Sequence, residues 1–216
     1  MKNIEDFKED DYKKDVDLHI HSCFSDGLMN PDQITKNIEK YNLKKISICD
    51  HNTVEIYQNE NINNNNKIIK GVEFDCWHKG VLIHILGYDI DVNNEDLVSI
   101  CAKTKLGKTL DIIRLYEAIK RTPKKAIEAI HKAKGKAVLA HSACYWTFNL
   151  DLFVKSLIDL GLDGLEVFYP YRRHRAIIKF HKADTVKKIA EKYSLLMTGG
   201  TDTHDNMENY KLFNKF

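Results

Sequence analysis

VDLHIHSCFSDG, residues 16–27, decides how the rest of this chain is read. Its first half alternates in the manner of a β-strand, and residues two apart in a strand point to the same face. His19 and His21 therefore aim at one point, as a chelating pair does. Asp26 lies in the loop just beyond, where Gly27 permits a tight turn that brings a carboxylate back over the strand end.

Five further segments repeat the theme of a short apolar run carrying a metal-binding side chain. They are ICDH with His51, GVEFD with Glu73, VLIHILGY with His84, AVLAHS with His141, and GGTDTH with Asp202 and His204. A lone histidine in a folded protein is more often packed or solvated than a ligand. Nine donors on six such segments are different, because the carboxyl ends of strands meet at one place in barrels and open parallel sheets. Imidazole with carboxylate is the donor set for zinc, manganese or iron. One zinc uses about four ligands, so nine predict two or three divalent transition-metal ions with a shared carboxylate, best supplied by Glu73. Three such ions bring about +6, and three carboxylates with one hydroxide remove about 4. The cavity left at about +2 attracts a phosphate ester, and a metal-held hydroxide makes a protein nucleophile unnecessary.

Seven strands are predicted at residues 16–22, 44–50, 68–75, 81–88, 136–141, 164–169 and 195–201, separated by stretches of helical period. That alternation favours a mainly parallel α/β architecture. Helices are expected to start at Asn30-Pro31 and Thr122-Pro123, with Gly135 and Gly161 at helix C-termini. Residues 89–135 read as a short helical insertion after the fourth strand, with room for two or three helices. The asparagine-rich run NENINNNNK reads as a solvated loop. At 216 residues, the whole of 1–216 is expected to form one domain.

Composition excludes little but bounds the setting. Lys and Arg number 33 against 31 Asp and Glu, so a net charge of +2 gives no general field for polyanions. Five scattered cysteines without a C-x-x-C pair argue against a disulfide framework and a zinc ribbon. With no apolar run near the ~20 residues that span a bilayer and a charged N-terminus, the expectation is a cytoplasmic protein with no membrane partner. Lys105 to Thr109 resembles the end of a P-loop but lacks the earlier glycine, since position 102 is Ala.

Taken in order, DLHIHSCFSDG, ICDHNT, GVEFD, HILGY, LAHS and GGTDTHD resemble the motifs of the PHP (polymerase and histidinol phosphatase) domain over nearly the whole chain. The resemblance implies a distorted (β/α)7 barrel that hydrolyses phosphoesters with two or three metals. Carried over by position, it implies His19, His21, Glu73 and Asp202 on one metal, Glu73, His84 and His141 on a second, and Asp26, His51 and His204 on a third. Within the family, GLEVFYP and LLMTGGTDTHD are most similar to stand-alone phosphoesterases, which include nucleotide phosphatases or phosphodiesterases and a 5′-to-3′ exoribonuclease. The segment before residues 137–141 is shorter in this chain than is common among them.

The expected activity is thus hydrolysis of a phosphate mono- or diester of a nucleotide or short 5′-phosphorylated RNA or DNA end, with Glu73 and Asp202 catalytic. The basic run after the sixth strand supplies Arg172, Arg173 and Arg175 as a phosphate clamp and His174 as a proton donor. Asp17, Asp50 and Asp75 stand close enough in sequence to orient ligands. The alternatives are a histidinol-phosphatase-like small-molecule phosphatase, an amidohydrolase-type C–N hydrolase and a non-catalytic metal-binding module.

Overall fold

The computed structural model describes residues 4–171, 181–205 and 207. Seven strands form one sheet in sequence order: β1 (Val16–Ile20), β2 (Lys45–Ile48), β3 (Ile68–His78), β4 (Val81–Tyr88), β5 (Lys136–Leu139), β6 (Gly164–Phe168) and β7 (Leu196–Gly199). All seven lie where expected, most of them trimmed at the ends, while β3 runs three residues further. Neighbours are parallel except at β4, which is antiparallel to both β3 and β5. The reversal has a local cause. Lys79 and Gly80 alone connect β3 to β4, and their φ values of 48° and 83° are those of a two-residue hairpin turn that matches strand twist.

The sheet closes on itself beyond β7. Ile20 bridges Thr203 in parallel, the His21 N–H donates to the Thr203 carbonyl at 2.9 Å, and the Asp202 N–H donates to the His19 carbonyl at 2.7 Å. The fold is therefore an α/β barrel with one reversed strand. Its closing seam carries both chelating pairs.

Helices α1 (Glu9–Tyr12), α2 (Pro31–Lys40), α3 (Glu60–Asn63), α4 (Glu95–Ser99), α5 (Leu106–Thr109), α6 (Asp111–Lys120), α7 (Pro123–Lys132), α8 (Leu150–Ile158) and α9 (Ala183–Lys192) complete the described chain. Asn30 and Thr122 cap α2 and α7 as predicted, accepting from the Gln33 and Lys125 N–H groups. Gly161 ends α8 with φ 101°. At α7 the left-handed residue is Lys134, φ 65°, one before the expected Gly135, and both N–H groups return to helix carbonyls in a Schellman pattern. Part of the asparagine-rich run is helical instead of a loop, because Asn59 caps α3 and Ile62 is buried. The insertion holds four helices, more than expected, and the last, α7, packs on β3, β4 and β5 as a barrel helix.

Two glycines serve close approach at the seam and the loop above it. A Cβ on Gly27 would lie 2.6 Å from the His21 carbonyl carbon, and one on Gly200 would overlap the backbone nitrogen and Cβ of His19. Neither can be relieved by turning a flexible side chain. Gly200→Ala is accordingly expected to cost about 1–3 kcal/mol in urea unfolding. An unchanged midpoint would mean that the seam is looser than these contacts imply.

Candidate metal centre

Strand register, more than loop length, gathers the donors. His51 bridges Glu73 in parallel just past β2, fixed by the Asn52 N–H on the Glu73 carbonyl at 2.8 Å and the Glu73 N–H on the Asp50 carbonyl at 3.1 Å. Across the hairpin Asp75 pairs with His84, which puts Glu73, Asp75 and His84 on one face. The Ala140 N–H donates to the His84 carbonyl at 3.1 Å and so brings His141 alongside. Glu73 is thus in mid-strand, not at a strand end as the sequence implied.

All nine predicted donors come together. Four groups have donor atoms mutually within 4.8 Å: His19, His21, Glu73 and Asp202; Glu73, His84 and His141; His21, Asp26, His51 and His204; and His51, Asp75 and His84. The first three contain the predicted sets, with His21 added to the third. The fourth adds Asp75. Arg172, Arg173, His174 and Arg175 lie outside the described residues.

The interior of the cluster fits a cation better than a hydrogen-bond network. Glu73 Oε2 is buried without a hydrogen bond, although His19 Nε2, His21 Nε2 and His51 Nδ1 stand 3.4, 3.3 and 3.3 Å away. His21 Nδ1 is buried and unbonded as well. Unsatisfied buried polar atoms are costly. Donors bound tetrahedrally at ~2.1 Å to one ion lie ~3.4 Å apart, which matches the spacing of these atoms.

Charge in the cluster is balanced between rings and carboxylates. Burial alone would raise Glu73 and Asp202, but the surrounding imidazoles hold both well below the usual carboxylate range. Burial would lower His21, yet its contacts with Asp202 and Glu73 push it up to about 10. His19 is also raised, with burial outweighed by Glu166, Glu73 and Asp202. His51 goes the other way, lowered mainly by burial.

Residues outside the predicted set brace the donors. Glu166 on β6 is fully buried, faces His19 Nδ1 at 2.9 Å and accepts from the His141 N–H at 2.6 Å. The second bond pins a residue whose φ of 26° lies in the left-handed region. Tyr169 donates to Asp202 Oδ2 at 2.9 Å. Arg114 on α6 donates from Nε and Nη2 to the two Asp75 oxygens, both at 2.9 Å, and from Nη1 to Asp26 Oδ2 at 2.7 Å. Asp75 touches two imidazoles of the cluster, His51 Nδ1 at 3.1 Å and His84 Nε2 at 3.3 Å. Asp17 and Asp50 instead tie down backbone and hydroxyl groups of Thr201, Ser22 and Ser25. Glu166 was legible as an acidic residue inside an apolar strand, and Arg114 carried no such signal.

Protons and metal compete for these rings. A metal must displace the proton that Asp202 and Glu73 favour on His21. Metal binding should therefore release protons at pH 7–8, and affinity should rise with pH, as read by calorimetry in buffers of different ionisation enthalpy. Binding without proton release would remove these rings as ligands. Glu166→Gln should weaken metal affinity by ~10–100-fold while leaving the fold intact, since it loosens two ligands at once.

Comparison with known proteins places this geometry. A 5′-3′ exoribonuclease of Haemophilus influenzae is 25% identical over 137 residues, covering 61% of this chain and half the length of that protein. A phosphoribosyl 1,2-cyclic phosphate 1,2-diphosphodiesterase of Eggerthella lenta is 20% identical, with 87% of this chain and 93% of that protein aligned. Among solved structures, a protein of Bifidobacterium adolescentis described as a metal-dependent phosphoesterase superposes with TM-score 0.67 at 19% identity, covering 88% of each chain. An amidohydrolase of Chromobacterium violaceum with bound sulfate gives 0.68 at 17%, covering 89% of this chain and 88% of that one. Such identities carry the fold alone. The PHP domain family model matches residues 17–194, more than four-fifths of the sequence, and the chain belongs to that family.

Proposed function

We propose that this chain is a metal-dependent phosphoesterase that hydrolyses a phosphate mono- or diester, of a nucleotide or a short 5′-phosphorylated oligonucleotide. The observation that carries the reading is Glu73 Oε2, buried, without a hydrogen bond and ringed by three imidazole nitrogens. His19, His21, Glu73 and Asp202 would hold one divalent ion, Glu73, His84 and His141 a second, and Asp26, His51 and His204 a third, of the manganese, zinc or iron class. Bound there, such ions offset phosphate charge and lower the pKa of water.

The chain's own groups supply orientation and proton control. Glu73 is shared between two groups, so its carboxylate fixes their separation. Tyr169 and His21 hold Asp202 through different oxygens, at 2.9 and 3.1 Å. Asp26 and His204 are the solvent-facing members, with side chains 21% and 39% exposed, so substrate reaches the cluster from their side. Arg172, Arg173 and Arg175 are proposed to bind phosphate oxygens and His174 to protonate the leaving oxygen, on their position directly after β6.

The two curated relatives are named for a 5′-3′ exoribonuclease and for a phosphodiesterase of a phosphoribosyl cyclic phosphate. Those names support a ribose phosphate diester as the first substrate class to test. Residues 1–216 are proposed to act as one domain with residues 89–135 inserted in it. A cytoplasmic setting accords with five free thiols and with the absence, among the described residues, of a helix long and apolar enough to cross a membrane.

Hydrolysis of nucleotides, bisphosphates, sugar phosphates, histidinol phosphate, 5′-phosphorylated RNA and a panel of amides, each with manganese, tests the reading. Phosphoester cleavage without amide cleavage is expected, read as inorganic phosphate from monoesters and as nucleotides from RNA, with two or three metal ions per chain by elemental analysis. Turnover of amides alone, or a stoichiometry at or below one ion, would overturn it. Asp202→Asn and Glu73→Gln should each lower turnover by at least ~10³-fold in a folded protein. Activity above about a tenth of the parent with full metal would exclude that carboxylate from the catalytic metal centre.

A further inference from the structure

Helix α6 is turned inside out. Ile112, Leu115, Tyr116 and Ile119, spaced as one helical face, are exposed, while Arg114 and Ala118 are buried. Burying a guanidinium is unfavourable unless the charge is met, so this orientation needs a reason other than packing.

The contacts of Arg114 supply one. Asp75 takes Nε and Nη2 in a two-pronged pair, and Nη2 also lies 2.7 Å from His51 Nδ1. The plane of the guanidinium is thereby set, and Nη1 projects to Asp26 Oδ2 at 2.7 Å, with the exposed Asp111 carboxylate at 3.5 Å. The other Asp26 oxygen faces His204 Nε2 at 3.3 Å and His21 Nδ1 at 3.6 Å. A cation and a guanidinium therefore draw on the same carboxylate at the solvent-facing side of the cluster. A cation drawing on Asp26 through its other oxygen takes up part of that carboxylate's charge, so the Nη1 edge, still held against Oδ2, favours a further anion beside it. In a phosphoesterase the anion that arrives there is a non-bridging phosphate oxygen, which guanidinium geometry suits.

We propose that Arg114 binds the substrate's phosphate, with Asp75 as its positioning residue, and that the helical insertion exists in part to deliver it. The inference rests on the phosphoesterase reading and adds a residue from a segment to which the metal groups assign nothing. Of the two arginines among the described residues, Arg121 is engaged elsewhere, donating to the Ile100 and Asp75 carbonyls and to Asn52 Oδ1.

Inorganic phosphate is the probe, titrated calorimetrically into the manganese-loaded full chain, beside kinetics on the best ester found. Arg114→Ala should keep the parent's metal content, weaken phosphate at least ~10-fold and raise KM more than it lowers kcat, while Arg114→Lys recovers little because the fork is lost. If Arg114→Ala leaves Asp75 too poorly compensated to fold, Arg114→Met combined with Asp75→Asn removes both charges and is read in the same way. Unchanged phosphate affinity in a folded variant overturns the inference. So does loss of a metal ion with phosphate affinity intact at matched metal content, which would make Arg114 a brace of the Asp26 group. A metal-loaded parent that neither binds phosphate nor hydrolyses any phosphate ester overturns the broader reading instead.

Discussion

A carboxylate buried in a protein interior must be met by opposite charge, and Glu73 is the point on which this molecule turns. It is 1% exposed in the middle of the longest strand, among imidazoles from β1, β4 and the segments after β2 and β5. An ionised Glu73 in that position favours protons on the rings or cations between them. The carboxylates around His19 and His21 raise both, so this cluster favours positive charge, from protons or from cations.

The remaining architecture keeps those rings in register. Closing the barrel aligns β1 with the segment after β7, so the pairs His19/His21 and Asp202/His204 meet across two backbone hydrogen bonds. Glu166 ties β6 to His19 on β1 and His141 after β5, and Arg114 links α6 to carboxylates on β3 and in the loop after β1. Each brace joins elements distant in sequence. Orientation of the donors is therefore a property of the closed barrel and cannot be assembled by any one segment.

That distinction explains what could be read from the chain. The nine donors were legible because each sits beside a strand whose apolar pattern is local. Asn30-Pro31 and Thr122-Pro123 were legible for the same reason. Arg114 was not, because Ile112, Leu115, Tyr116 and Ile119 mark the opposite side of α6 as the one a helix normally buries. Strand direction is also absent from periodicity, although Lys79-Gly80 between two apolar runs was a hairpin signal. The Gly135 expectation was off by one because Lys134 accepts the left-handed conformation that glycine usually takes. The arginine-rich run after β6 stays outside the described residues.

The reversal of β4 separates two kinds of freedom. Since β4 runs back down the barrel, the chain leaves it at the end remote from the metal donors and must return to that same end to start β5. Asp91 and Ala133 mark this point, joined by a backbone hydrogen bond of 2.8 Å. Everything between them forms an excursion clasped at its base, up to the Ala102 N–H on the Asn52 carbonyl and the Trp77 N–H on the Arg121 carbonyl and down again along α7. Residues can be added to or removed from that excursion ahead of α7, away from Arg114 and Arg121, without shifting the register of β4 against β5 that places His84 and His141. The strand-borne donors are thus fixed by barrel register, while the clasped excursion reaches them only through a few side chains, Arg114 among them.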